Sequence, residues 1–246
     1  PTAPAAPTRS MDIPIRQDWL DRWREEIIDP DLPIIDPHHH LWDRPSWDFR
    51  YLLDDLLADL NSGHRIVATV FLQCWAMHRA GGPEALRPVG ETEFVTGVAA
   101  MSASGGYGPT RICAGIVGHA DLRLGDRAQE VLEAHIRAGG GRFRGIRHIT
   151  ARDEAMARSL TTPAGLMEDA GFRAGFARLA PLGLTFDSWL FFHQIGELAA
   201  LARAFPQTGI VLDHVGGPLG IGGYAGRRDE VYGRWAAASR DQATCP

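Results

Sequence analysis

Along the chain, short apolar runs alternate with polar loops and with stretches whose apolar residues recur at helical spacing. The apolar runs are residues 33–39 (PIIDPHH), 66–75 (IVATVFLQCW), 111–120 (RICAGIVGHA), 143–149 (FRGIRHI), 183–190 (GLTFDSWL) and 209–217 (GIVLDHVGG), and each reads as a strand. Helical patterns lie between them, as at residues 54–63, 127–140 and 195–206. Strand followed by helix, repeated, argues for a parallel sheet with helices outside it. Right-handed crossovers leave two solutions, an open doubly wound sheet or a closed barrel. Ahead of the first strand, residues 17–28 (QDWLDRWREEII) place Trp19, Leu20, Trp23 and Ile27 at helical spacing, which predicts a surface helix packing through its tryptophans.

The polar residues choose between the two solutions. His38 and His40, Gln73, His119, Arg147 and His148, Asp187, and Asp213 and His214 each follow the apolar part of a strand. A barrel gathers all such ends around one mouth, whereas an open sheet uses one crevice. No GxGxxG follows the first strand, which lowers the dinucleotide-binding reading. The expected fold is therefore an α/β (β/α)8 TIM barrel. Six strands are visible and a helix-like segment, residues 228–246, runs to the terminus, so about six of the eight units are expected in a C-terminally truncated chain. Residues 1–16, opening on PTAPAAPTRS, read as a disordered leader and 17–246 as the barrel.

Composition narrows the function. With 246 residues, 45% hydrophobic, 22% charged and a net charge of −5, the chain has a core-sized apolar content and no basic field for nucleic acid. No apolar run is long enough to span a bilayer and no signal-peptide pattern opens the chain, so a cytoplasmic protein without membrane contact is expected. Cys74, Cys113 and Cys245 are odd in number and far apart, which argues against a disulfide framework or a thiolate zinc site. All 25 basic residues are arginine. That excludes a Schiff-base lysine, a P-loop lysine and a carbamylated lysine bridging two metals.

In the run PIIDPHHHLWD, strand alternation sends His38 and His40 to one side and His39 to the other. Two imidazoles at the end of a strand can ligate one divalent cation or hydrogen-bond one substrate oxygen. His214, after IVLD and before a Gly-Gly-Pro turn, reads alone as a satisfied structural residue, but across a barrel mouth from His38 and His40 it becomes a third ligand. Asp213 then faces the wall or orients a neighbour. Of Arg147 and His148, alternation lets one reach the mouth; an arginine there suits a substrate carboxylate. Glu91 reads first as an acid in the opening turn of a helix and second as a metal ligand. His193 is a fallback ligand or proton shuttle.

The ordered set IIDPHHHLWD, VGETEFV, GIVGHADL, FRGIRHI, LTFDSWL and FHQIGELAALARAFPQTGIVLDHVGGPLG resembles the amidohydrolase superfamily. It is closest in pattern to the branch containing 2-pyrone-4,6-dicarboxylate lactonase and the sugar lactonases. The resemblance implies a TIM barrel, a small-molecule substrate and a hydrolase opening a lactone or related cyclic ester. It implies His38 and His40 as the first-strand pair and His214 as the later histidine, holding a divalent metal, with zinc expected, although members of the branch also work without one. Arg147, His148 and His193 are the expected substrate contacts. The resemblance also implies an aspartate at the eighth strand, which has no counterpart here. Amide hydrolysis or decarboxylation on the same scaffold, an inactive barrel fragment, and self-association into a homo-oligomer remain open at this stage.

Overall fold

The computed structural model describes residues 16–44, 49–154 and 162–246. Nearly all of the expected leader, residues 1–15, lies outside the described residues. One helical turn, α1 (Gln17–Leu20), leads to β1 (Ile34–His39); a small antiparallel pair, β2 (Trp42–Arg44) and β3 (Phe49–Tyr51), precedes α2 (Leu53–Leu60). Strands and helices then alternate: β4 (Ile66–Leu72), α3 (Val89–Ala103), β5 (Arg111–Gly118), α4 (Ala128–Ala138), β6 (Phe143–Arg147) and α5 (Ala170–Phe176). The last elements are β7 (Thr185–Ser188), α6 (Ile195–Ala204), β8 (Ile210–Leu212) and α7 (Arg228–Gln242).

All six apolar runs form strands, and they make one sheet in the order β1-β4-β5-β6-β7-β8 with every neighbouring pair parallel. The sheet curls into a half-barrel with helices outside, a partial (β/α)8 barrel whose edges, among the described residues, are β1 and β8. Phe71, Ile116, Ile146 and Phe186 are fully buried and pack in one core with Val95 and Val98 of α3, Leu132 of α4, Phe172 and Phe176 of α5 and Leu198 of α6. Alternation then sends Arg147 and Asp187, register partners on β6 and β7, to the opposite, inner face.

One expected element does not form as read. The helix over residues 17–28 stops after Leu20, and Trp19 and Trp23 are 54% and 79% exposed. Apart from Ile27, which is half-buried beside Gly63, its apolar stripe is exposed, and a short helix without a buried face is marginal in water. No described helix is long and apolar enough to cross a membrane.

Candidate active site

The inner face collects the polar strand ends. On β1 the pairing with β4 shifts between Asp36 and His39, at Pro37, which has no N–H for the ladder. The Asp36 carboxylate accepts the His38 backbone N–H (3.1 Å), fixing the chain where the histidines begin. His38 and His40 then turn to one side, with their Nε2 atoms 3.3 Å apart. His39 turns to the other, where it is buried against Phe71 with its Nε2 2.9 Å from Thr69 Oγ1. The histidine run is thus an inward pair with an outward packing residue between them.

Since a carbonyl can only accept, His40 donates Nδ1–H to Leu72 O (2.8 Å), and the neutral ring presents a bare Nε2 toward His38. From β6, Arg147 places Nη1 3.4 Å from His38 Nε2 and 3.4 Å from Asp213 Oδ2, while Nη2 donates to Gln73 O. Its guanidinium lies over the Trp189 ring at 5.8 Å. Beyond β8 the chain turns sharply, with His214 and Val215 at φ of 52° and 49°, a left-handed conformation costly for residues other than glycine. That turn sets the His214 ring 4.8 Å from the His38 ring. Donor atoms of His38, Asp213 and His214 all lie within 4.8 Å of one another, which makes them a group that could hold a metal ion.

Burial dominates the protonation of these groups. It pushes His38 down to about 3, helped by His40 and Arg147, and His40 down to about 4, so both rings are neutral and nucleophilic at neutral pH. It pushes the Asp187 carboxyl up to about 7, with the Asp213 charge adding to the rise and Arg147 opposing it. Asp213 is raised by burial and held back by Arg147. Two acids and one arginine thus share the space beneath the histidines.

The sequence model of the amidohydrolase family matches residues 35–246. The chain belongs to that family. A curated relative, the uncharacterised protein y4mH of Sinorhizobium fredii, is 32% identical over an alignment of 206 positions that covers 76% of this chain and 63% of the relative. The chain therefore spans less than two thirds of that protein's length. A zinc-bound amidohydrolase from Burkholderia multivorans superposes with a TM-score of 0.62 at 27% identity, covering 86% of this chain and 66% of that one. The fold also matches a Pseudomonas putida structure provisionally described as a 2-pyrone-4,6-dicarboxylic acid hydrolase, with a TM-score of 0.51 at 17% identity over 86% of this chain and 77% of that one.

In this amidohydrolase the donor set suits a divalent cation. Two nitrogens each bound to one tetrahedral ion at roughly 2.0–2.1 Å lie about 3.3 Å apart, which is the separation of the His38 and His40 Nε2 atoms. The Leu72 carbonyl behind His40 is the outer partner that fixes the tautomer of a ligating histidine. His38, His214 and Asp213 would hold the ion, and His40, outside that group, meets it through its Nε2 contact with His38. Arg147 Nη1, close to His38 Nε2, would have to draw back toward Asp213 and Asp187.

The remaining expected residues lie elsewhere. Arg147 is the member of its pair that reaches the mouth; His148 turns outward, accepting the Leu122 N–H at Nδ1 (3.3 Å) and packing against His119 and Phe172. His193 bonds Asp153 Oδ2 (2.9 Å), which also accepts from the Tyr224 hydroxyl (2.7 Å), on the wall of a cavity of about 650 Å³. Glu91 is in the first turn of α3, fully buried, and its Oε1 accepts backbone N–H groups from Cys74 and Ala76. It lies outside the His38, Asp213 and His214 group. Asp187 is the site residue whose role sequence reasoning left unassigned, although LTFDSWL already placed it at a strand end.

Two buried histidines outside the site make stability depend on pH. His135 accepts from Thr92 Oγ1 and donates to His119 O, and burial lowers it to about 4; burial lowers His148 to about 3. The unfolded chain takes up these protons near pH 6.5, so the stability each lends is complete above that value and is lost as pH falls. Between pH 7 and 5 the His135 contribution is about 2 kcal/mol. Urea titrations should show His135→Gln losing that much less than wild type over the interval; an equal loss would refute the assignment.

Proposed function

We propose that this amidohydrolase opens a lactone, or a related cyclic ester of a sugar acid or carboxylated small molecule, by attack of water on the carbonyl. The observation that carries the reading is the pair of Nε2 atoms of His38 and His40 facing the Arg147 guanidinium across the inner face of the sheet. A developing oxyanion there meets the buried positive charge of Arg147 aimed at it. His38, His40, His214 and Asp213 would hold a divalent ion, with zinc proposed. When bound, that ion supplies Lewis-acid polarisation of the carbonyl and a lowered pKa for water.

Asp187, raised to about 7, is placed to accept a proton from the attacking water. The water oxygen bonds to the carbonyl carbon, the ring C–O bond breaks, and the proton passes to the departing ring oxygen to give a hydroxy acid. Three free cysteines fit the cytoplasm as the proposed compartment.

A panel of sugar-acid lactones, aryl esters, amides and β-keto acids, followed by proton release and CO₂ evolution, tests the reading. Lactones should be turned over fastest. Release of amine or CO₂ with no lactone opened would overturn it in favour of the other chemistries of the scaffold.

A further inference from the structure

Directly after β4 the hydrophobic order is inverted. Cys74 and Ala76 are 4% and 3% exposed, yet the indole between them, Trp75, is half exposed. Trp75 and Met77 also have φ of 65° and 50°, a region that a bulky side chain enters only when its surroundings force it.

The forcing groups surround it. Glu91 Oε1 accepts the N–H of both neighbours of Trp75, from Cys74 at 2.9 Å and from Ala76 at 2.8 Å. Arg44 donates to Cys74 O, and Arg79 N–H donates to Arg87 O at 3.0 Å. Gly90 closes the clamp from α3, since a Cβ there would lie 2.6 Å from Met77 O. A buried carboxylate is thus spent on holding one exposed side chain in a strained position.

That side chain follows β4 directly and adjoins the candidate active site through its neighbours. Two residues before it, the Gln73 carbonyl takes the Arg147 guanidinium. On its flank the His119 ring lies 4.7 Å away, and His119 Nδ1–H donates to the Arg147 carbonyl at 3.1 Å. His78 packs on it at 5.6 Å. The indole is therefore backed by imidazoles, tied to Arg147 through one of them, and partly open to solvent.

We infer that Trp75 is a stacking platform for the ring of the substrate and that Glu91 is the positioning residue that holds it there. The ligand class is a ring with one C–H-lined or planar face, as a sugar lactone has; an indole offers such a face a large apolar contact at little entropic cost. The inference rests on the proposed hydrolysis of a cyclic substrate. It assigns Glu91 its effect through an acceptor oxygen rather than through charge.

Kinetics on the lactone turned over fastest, with its non-hydrolysable lactam as a binding probe, tests both parts. Trp75→Ala should raise KM and the lactam Kd about ten-fold, with kcat within about three-fold, and Trp75→Phe should recover most of the loss. Glu91→Ala should raise KM in the same way. Glu91→Gln, which keeps a carbonyl oxygen for both N–H groups, should rescue it. Equal lactam affinity in wild type and Trp75→Ala, or no lactam binding by wild type, overturns the platform. A collapse of kcat in Glu91→Gln overturns the positioning role. Lactam binding that depends on Trp75, with no lactone hydrolysed, would sink the hydrolytic reading and leave the platform standing; if Glu91→Ala does not fold, Glu91→Gln and the Trp75 variants still decide.

Discussion

Replacing His38 or His40 by alanine is expected to lower kcat/KM for lactone opening by about 10²-fold or more, because the ring nitrogens proposed to hold the ion are lost and with them several kcal/mol of Lewis-acid stabilisation. The melting temperature should move little, because both rings face the partly open inner face. His39→Ala should do the reverse. His39 is buried on the outer side, hydrogen-bonded to Thr69 and packed against Phe71. Its loss leaves a hole and removes one of the two partners of the Thr69 hydroxyl, which keeps the Cys113 N–H, at a cost of about 1–3 kcal/mol, with activity per folded molecule retained. Initial rates beside urea titrations of the three single variants check the pattern. A His39 variant as inactive as the other two, or a fully active His38 variant, would break the assignment of faces.

That contrast depends on a period of two, and period was what the sequence carried most clearly. All six parallel strands were visible as apolar runs; the inner four are largely buried on both faces and so apolar along their length, while the edge strands β1 and β8 leave Ile35 and Val211 exposed. The same logic put polar residues at the strand ends and separated His38 and His40 from His39. The antiparallel pair β2–β3 was not legible. Its strands, Trp42–Arg44 and Phe49–Tyr51, are three residues each and have no apolar alternation to announce them. The Trp19 and Trp23 stripe misled for the opposite reason, being periodic without a surface to bury it.

At the site, local spacing located groups but not their partners. It could narrow Arg147 and His148 to one inward residue, but not show that Arg147 would be shared among His38, Asp213 and the Gln73 carbonyl, which come from β1, the end of β8 and the end of β4. Nor could it tell that Glu91 would grip the chain 15 and 17 residues upstream. Those contacts are set by strand order and by the curl of the sheet, which no window of neighbouring residues contains.

Removing the Asp213 carboxylate should have the second large effect, on stability and on the pH dependence of the rate together. Asp213 is 4% exposed, and its Oδ2 is 3.4 Å from Arg147 Nη1. Asp213→Ala leaves the buried guanidinium with less compensation, and breaking such a pair by deleting one member costs about 3 kcal/mol or more. Asp213→Asn keeps the shape and an acceptor oxygen, so it should cost clearly less. Both variants should lose activity, because the donor set around His38 loses its anionic member. The residual rate of the asparagine variant carries the sharper information. The Asp213 charge is one cause of the rise of Asp187 toward 7, and it also neutralises Arg147, which pulls Asp187 down. Without it both influences on Asp187 act in the same direction, toward a more acidic carboxyl. If Asp187 accepts the proton, it must be ionised to work, and the acid limb of kcat/KM should move to lower pH in Asp213→Asn. An acid limb that stays in place would remove Asp187 from the reaction and leave the proton to another base.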